Sequence, residues 1–217
     1  MKRSDWFLLS LILISFIPSI LLYPKLPNQI PMHWNLAGEV DRYGDKLYGA
    51  FFSQGLNLFL FFLLLFTPKI DPRKENYLKF HKAYTILRWA MGIIFVIISQ
   101  LILMYTVYDM KNMPSYLDIS FVIPILVSML FIIIGNYLGK IQHNYFVGIR
   151  NPWTLSNEKV WYKTHRLGGK LFVLSGVLGI IGAFFSSYVT FLMLIGPILI
   201  TVVITTVYSY LQFRKER

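Results

Sequence analysis

Six apolar stretches of 18 to 24 residues constrain this chain more than any other feature. They are Trp6–Tyr23, Gly49–Thr67, Thr85–Tyr108, Ile119–Leu138, Leu171–Tyr188 and Phe191–Tyr210. Each has the length that a helix needs to cross a hydrocarbon core of roughly 30 Å. Backbone polar groups in lipid must be satisfied within the segment, so such runs read as helices. Composition agrees: hydrophobic residues make up 56% and charged residues 14% of the 217, with a mean hydropathy of +0.56. A soluble domain carries about 25% charged residues. The expectation is an all-α integral membrane protein, a bundle of six transmembrane helices. The basic start and apolar run of the N-terminus resemble a signal peptide. No small-residue cleavage site follows Tyr23, so the run is expected to stay as the first helix.

The net charge of +11 is a statement about topology. Sixteen of the 21 Lys and Arg residues fall in the N-terminus, the second and fourth connections and the C-terminus. Four (Lys25, Arg42, Lys46 and Lys111) fall in the opposite connections, and Arg88 lies just inside the third span. The bias alternates at every connection, which places both termini in the cytoplasm. Tyr and Trp cluster at span ends, as in an aromatic belt. Nucleic acid is not expected to bind directly, because the basic stretches are short and tethered beside competing anionic headgroups. Cysteine is absent, which excludes disulfides and thiolate metal sites.

Three regions follow: 1–67, with two helices and an extracytoplasmic loop at 24–48; 68–118, with the third helix and its flanks; and 119–217, with a cytoplasmic loop at 139–170 and a C-terminal helical hairpin. No charge occurs between Lys170 and Arg214, so the last two spans are expected to turn tightly near Ser187–Thr190. Both long loops exceed what a turn requires, and such loops often carry function.

In the outer loop, Pro27 and Pro31 disfavour helix, and Gly38 and Gly44 permit turns. His33, Trp34, Asn35, Glu39, Asp41 and Lys46 form a candidate ligand-facing surface. The alternative is a folded cap with Trp34 packed at the interface. His33 with Glu39, Asp41 or Asp45 is a poor metal-ligand set, being one His with irregularly spaced acids. No metal or cofactor is expected.

In the inner loop, Ser156 reads as a helix N-cap and Glu158 as a favourable first-turn acid. Gly168-Gly169 is expected to end or kink that helix before the fifth span. Val160, Trp161, Thr164 and Leu167 share one side of it, and Lys159, Lys163, Arg166 and Lys170 another. The pattern fits a basic amphipathic helix on anionic lipid or a docking surface for a cytoplasmic partner. Asn144, Arg150, Pro152, Trp153, Lys159, Trp161, Lys163, His165 and Arg166 are the candidates for such a surface.

Within the spans, Asn57 and Gln100 must face the bundle and find partners. Pro18, Pro124 and Pro197 predict kinks. Ser175, Gly179 and Ala183 form a small-residue stripe that lets another helix approach, with a partner in the same chain favoured over a dimer. No Asp or Glu stands near a span centre. His81, His143 and His165 have no catalytic spacing, and no hydrolase, zincin or phosphate-loop motif occurs, so the chain does not read as an enzyme.

The motifs in the two long loops together resemble one family. Ile30-Pro31-Met32-His33-Trp34-Asn35, with Gly38, Asp41 and Lys46, is similar to an extracytoplasmic motif of a bacterial membrane domain of unknown function. Gly135-Asn136-Tyr137, Asn144 through Ser156 and Trp161 through Gly169 resemble the core signature of the SdpI family. One departure is Asn151, where Thr or Ser is expected before Pro152. The resemblance implies a multi-pass protein of the bacterial plasma membrane that protects the cell from a secreted toxic peptide. It also implies signalling, in which a cytoplasmic transcriptional repressor is held at the membrane. The alternatives from the residues themselves are a small transporter and an envelope-stress membrane protein. Oligomeric state is not encoded in any of these features.

Overall fold

The structure, a computed structural model, describes residues 2–36, 38–108 and 118–216. Lys111 lies outside the described residues. In chain order the elements are α1 (Arg3–Ile14), α2 (Phe16–Leu22), a 3-10 turn (Tyr23–Lys25), β1 (Gln29–Trp34), β2 (Val40–Asp45), α3 (Lys46–Ile70), α4 (Asn76–Lys79), α5 (His81–Val107), α6 (Ile119–Leu138), α7 (Pro152–Ser156), α8 (Glu158–Gly182) and α9 (Ser187–Lys215).

Five stretches are long and apolar enough to cross a membrane: Arg3–Lys25, α3, α5, α6 and α9. Their outer faces are apolar and open, with Phe7 and Leu21 each 70% exposed. In water such a surface would drive association, whereas lipid solvates it. This is a helical membrane protein.

The sixth expected span is merged into a longer helix. Of the run expected at Leu171–Tyr188, residues 171–182 are the apolar half of α8, which begins at Glu158 and passes through Gly168-Gly169 without interruption. Its first half carries Lys159, Lys163, Arg166 and Lys170. The apolar half alone rises only about 18 Å, short of a bilayer core. Gly168 and Gly169 do not end the helix because they serve packing. A Cβ on Gly169 would stand 2.7 Å from the Gly135 carbonyl oxygen, and one on Gly135 would stand 2.6 Å from that of Gly169. Backbone-to-backbone approach between α6 and α8 thus offsets the poor helix propensity of glycine. Further along, a Cβ on Gly176 would meet the Ser128 carbonyl at 2.5 Å, and Ser175 Oγ lies 3.2 Å from Thr201 Oγ1 on α9. The small-residue stripe is therefore filled from within the chain.

Other boundaries also differ from expectation. The α8–α9 turn spans 183–186, before Ser187, because Ser187 already begins α9. Ser156 ends α7, and Asn157 caps α8 by accepting from the Lys159 and Val160 amides. The N-terminal span is interrupted at Ser15, whose hydroxyl donates to the Ile12 carbonyl at 2.6 Å. Pro124 and Pro197 stand inside α6 and α9, which run on past them.

The fold is not purely helical. The outer loop forms an antiparallel hairpin with Gln29 opposite Asp45, Ile30 opposite Gly44 and Trp34 opposite Val40. Gly38 turns it at φ +81°, in the region open to glycine. Ile30 anchors it, buried with Leu26, Ala50 and Leu103 against α3 and α5. Asp45 caps α3 by accepting from the Leu47 amide at 2.8 Å.

Candidate functional site

The hairpin end holds an apolar cavity of about 630 Å³. One wall is the hairpin, through Met32, Trp34 and Leu36. The others are Ile98 and Ile102 of α5, Ile123 and Pro124 of α6, and Phe191 and Leu194 of α9. Polar groups collect with them: His33, Asn35, Asp41, Ser120, Ser187 and Thr190. His33 Nδ1 lies 2.6 Å from Asp41 Oδ1 across the strands, and the pair is more than two-fifths exposed. Asn35 Oδ1 accepts from the Glu39 amide at 3.0 Å and closes the turn. Trp34 packs edge-on against Tyr105 of α5 at 5.4 Å. Lys46 sits 4.7 Å over the Tyr23 ring, on the bundle side. His33, Trp34, Asn35 and Asp41 thus line one cavity, whereas Glu39 and Lys46 do not. An apolar pocket with a few convergent polar groups is suited to an amphipathic ligand. Among the described residues no group of three His, Asp or Glu side chains is placed to hold a metal.

The opposite, basic end is a folded polar knot. Asn144 is fully buried, and its Oδ1 accepts from the Phe146 and Val147 amides at 2.9 and 2.7 Å and from the Tyr77 hydroxyl at 3.3 Å. Its Nδ2 donates to the Gln142 and Val147 carbonyls. Asp71 ties this loop to the second connection, accepting from the amides of Arg73 and Tyr145 and from the Tyr77 hydroxyl. Burial and the Asp71 carboxylate push the Tyr77 hydroxyl pKa up, so it remains a donor. Arg73 donates to His143, Asn76 donates to the His143 carbonyl, and His143 stacks on Trp161. Burial, and then the Arg73 charge, lower the His143 pKa.

Trp161 and His165 are fully buried one turn apart, with rings stacked at 4.0 Å. Trp161 Nε1 donates to the Ile141 carbonyl at 2.9 Å. His165 Nε2 accepts from the Ile149 amide at 3.0 Å, and Nδ1 then donates to the Trp161 carbonyl at 2.8 Å. This pairing requires the neutral ring, and burial holds its pKa down to about 4. Gly148, at φ +117°, approaches so closely that any Cβ would strike the His165 ring.

The structure thus divides the nine inner-loop candidates. Asn144, Trp161 and His165 are interior groups that hold the loop. Trp153 packs on Tyr210 at 5.3 Å, and Arg150 donates to the Tyr145 carbonyl at 2.8 Å. Pro152, Lys159, Lys163 and Arg166 are exposed, with Lys163 2.8 Å and Lys159 3.4 Å from Glu216 at the end of α9. Val160, Trp161 and Thr164 face protein rather than lipid. Asn151 caps α7, accepting from the Thr154 amide at 2.9 Å. Its departure from Ser or Thr is chemically mild, since all three make good N-caps.

Of the two spanning polar residues, Asn57 donates to the Gly92 carbonyl and Gln100 to the Ser15 carbonyl, both at 3.0 Å. Sequence reading missed the ion pair of Asp5 and Arg88, 2.6 Å apart with both side chains buried. A signal existed: an arginine inside a span needs a carboxylate at the same depth, and Asp5 opens the first span.

Comparison with known proteins accords with both motif regions. The SdpI/YfhL protein family matches residues 140–209, which cover the inner-loop part of the knot, α7, α8 and most of α9. A domain of unknown function, DUF1648, matches residues 10–58, which cover the hairpin and its flanking helices. The chain is 29% identical over 212 residues to "Immunity protein SdpI" of Bacillus subtilis (strain 168), covering 94% of this chain and 93% of that relative. No solved structure matches it. The chain is thus similar to the SdpI/YfhL protein family over residues 140–209 and to a named immunity protein along nearly its whole length.

Proposed function

We propose that this protein is a multi-pass immunity protein of the bacterial plasma membrane that protects the cell from a secreted toxic peptide. The observation that carries the reading is similarity along nearly the whole chain to a protein named for immunity. The toxic peptide engages the hairpin end, where an apolar segment enters the 630 Å³ cavity and polar groups meet His33, Asn35 and Asp41. That end faces outward and both termini face the cytoplasm, in accord with the Lys and Arg bias. The sixth crossing is α8, whose basic half rests against protein at the inner surface. Residues 1–67 supply the hairpin wall of that cavity, α5 within 68–118 supplies another, and 119–217 supply the α6 and α9 walls together with the inner loop of the knot. Protection proceeds by binding, with no catalysed step.

A second role is supported by the exposed cations Lys159, Lys163 and Arg166 on α8. They supply a surface for an acidic patch on a cytoplasmic repressor, held at the membrane when toxin is bound.

Survival of a sensitive strain lacking its own immunity protein tests the first reading. Expression of the wild type rescues growth in the presence of the toxic peptide, and Trp34→Ala combined with Asp41→Ala reduces rescue at equal membrane abundance. Death despite wild-type insertion refutes immunity toward that peptide. Loss of repressor recruitment alone in Lys159→Ala/Lys163→Ala/Arg166→Ala supports the second role, and unimpaired recruitment removes it.

A further inference from the structure

A second cavity, about 610 Å³, opens at the basic end, where α1 begins, α3 ends and α5 begins. Four cations line it (Lys2, Lys69, Lys74 and Arg88) against two carboxylates, Asp5 and Glu75, an excess of two positive charges. Both Asp5 oxygens are engaged. Oδ1 accepts from Arg88 Nη2 at 2.6 Å and Oδ2 accepts from the Lys2 amide at 2.7 Å. Lys2, Lys69 and Lys74 have no carboxylate within ion-pair distance among the described residues. Arg88 is only 8% exposed, yet its Nε has no hydrogen-bond partner among the described residues. A guanidinium offers five donors, so Arg88, which lines the cavity, has donor capacity beyond the Nη2 bond to Asp5.

From this we infer that the cavity binds the phosphate of an anionic lipid headgroup. Its level suits that ligand. Three helix ends meet there, and Arg88 lies seven residues into α5, about 10 Å along it. Its walls suit the rest of the lipid, since Leu65 and the 77% exposed Leu78 continue the cavity as an apolar surface. The lysines attract the headgroup from the surface, and Arg88, oriented by Asp5, stands at the polar–apolar boundary. Bound lipid would add a link between the starts of α1 and α5 and the end of α3.

The thermal midpoint of the purified full chain in neutral detergent tests this, with phosphatidylglycerol, phosphatidylcholine or inorganic phosphate titrated in. Phosphatidylglycerol produces a saturable rise, and the other two do not. Lys2→Gln/Lys69→Gln/Lys74→Gln keeps the lipid-free midpoint, because all three side chains are exposed. It weakens the phosphatidylglycerol response about a hundredfold in apparent affinity, on the order of fivefold per lysine. Lys140→Gln/Lys170→Gln/Lys215→Gln, which removes equal charge elsewhere, keeps the response. Equal loss in both triple variants, or an equal rise with phosphatidylcholine, overturns the site. An equal rise with inorganic phosphate overturns the lipid assignment in favour of a soluble anion.

Discussion

Acidification should unlock the loop through His165, and the size of the effect follows from its surroundings. The ring is fully buried, accepts the Ile149 amide at Nε2 and donates from Nδ1 to the Trp161 carbonyl. A second ring proton would face the Ile149 N–H donor to donor and place a charge where water is excluded. The native pKa is accordingly near 4, below the ordinary 6.5. The unfolded chain therefore binds a proton on this group that the native chain refuses. Its contribution is neutral above pH 6.5, and stability is lost as pH falls from 6.5 to 4. At 1.36 kcal/mol per pH unit the loss approaches about 3 kcal/mol. For a chain of this size that lowers the thermal midpoint by about 6–12 °C. The assay is the midpoint of the full chain in detergent from pH 7.5 to 4, compared with His165→Gln. Glutamine keeps one donor and one acceptor but does not titrate. His143, also depressed, works in the same direction and is present in both proteins. The wild type should lose about 3 kcal/mol more than the variant over this interval. Parallel loss in the two proteins would refute the neutral, buried role assigned to His165.

Other perturbations probe the remaining joints. Asp5→Ala strands the buried Arg88 charge and should cost about 3–5 kcal/mol, and adding Arg88→Met should restore most of it; no recovery in the double variant argues against the pair. Gly169→Val drives side-chain atoms into the Gly135 backbone and should cost at least about 1–3 kcal/mol by overpacking, read as a lower midpoint or loss from the membrane. Asn151→Ser should be close to neutral and Asn151→Ala should cost about 1 kcal/mol, as expected of an N-cap.

Much of this architecture was legible because bilayer thickness converts directly into run length. The stretches starting near Trp6, Gly49, Thr85, Ile119 and Phe191 each emerged within a few residues of a helix. The prolines at 27 and 31 correctly argued against helix in the outer loop, but pairing of β1 with β2 depends on Ile30 docking against Gly49, a contact that no local pattern announces. The continuity of α8 was hidden for a related reason. Local propensity reads Gly168-Gly169 as a stop, and only the approach of Gly135 makes glycine the residue a helix needs there. The inner-loop signature was read as a surface, yet Asn144, Trp161 and His165 are interior. Tyr77, 67 residues away in sequence, bonds Asn144, while the Ile141 carbonyl and the Ile149 amide hold Trp161 and His165, and such non-local hydrogen bonding leaves no periodic trace.

Binding of the toxic peptide to the purified full chain, compared with a cavity-filled Ile123→Trp variant, tests the central claim most directly. The account predicts saturable binding by the wild type and loss of at least tenfold in affinity when the indole occupies the space between α5, α6 and the hairpin, with the thermal midpoint retained. Equal affinity in the two folded proteins, or no binding by the wild type, would contradict it.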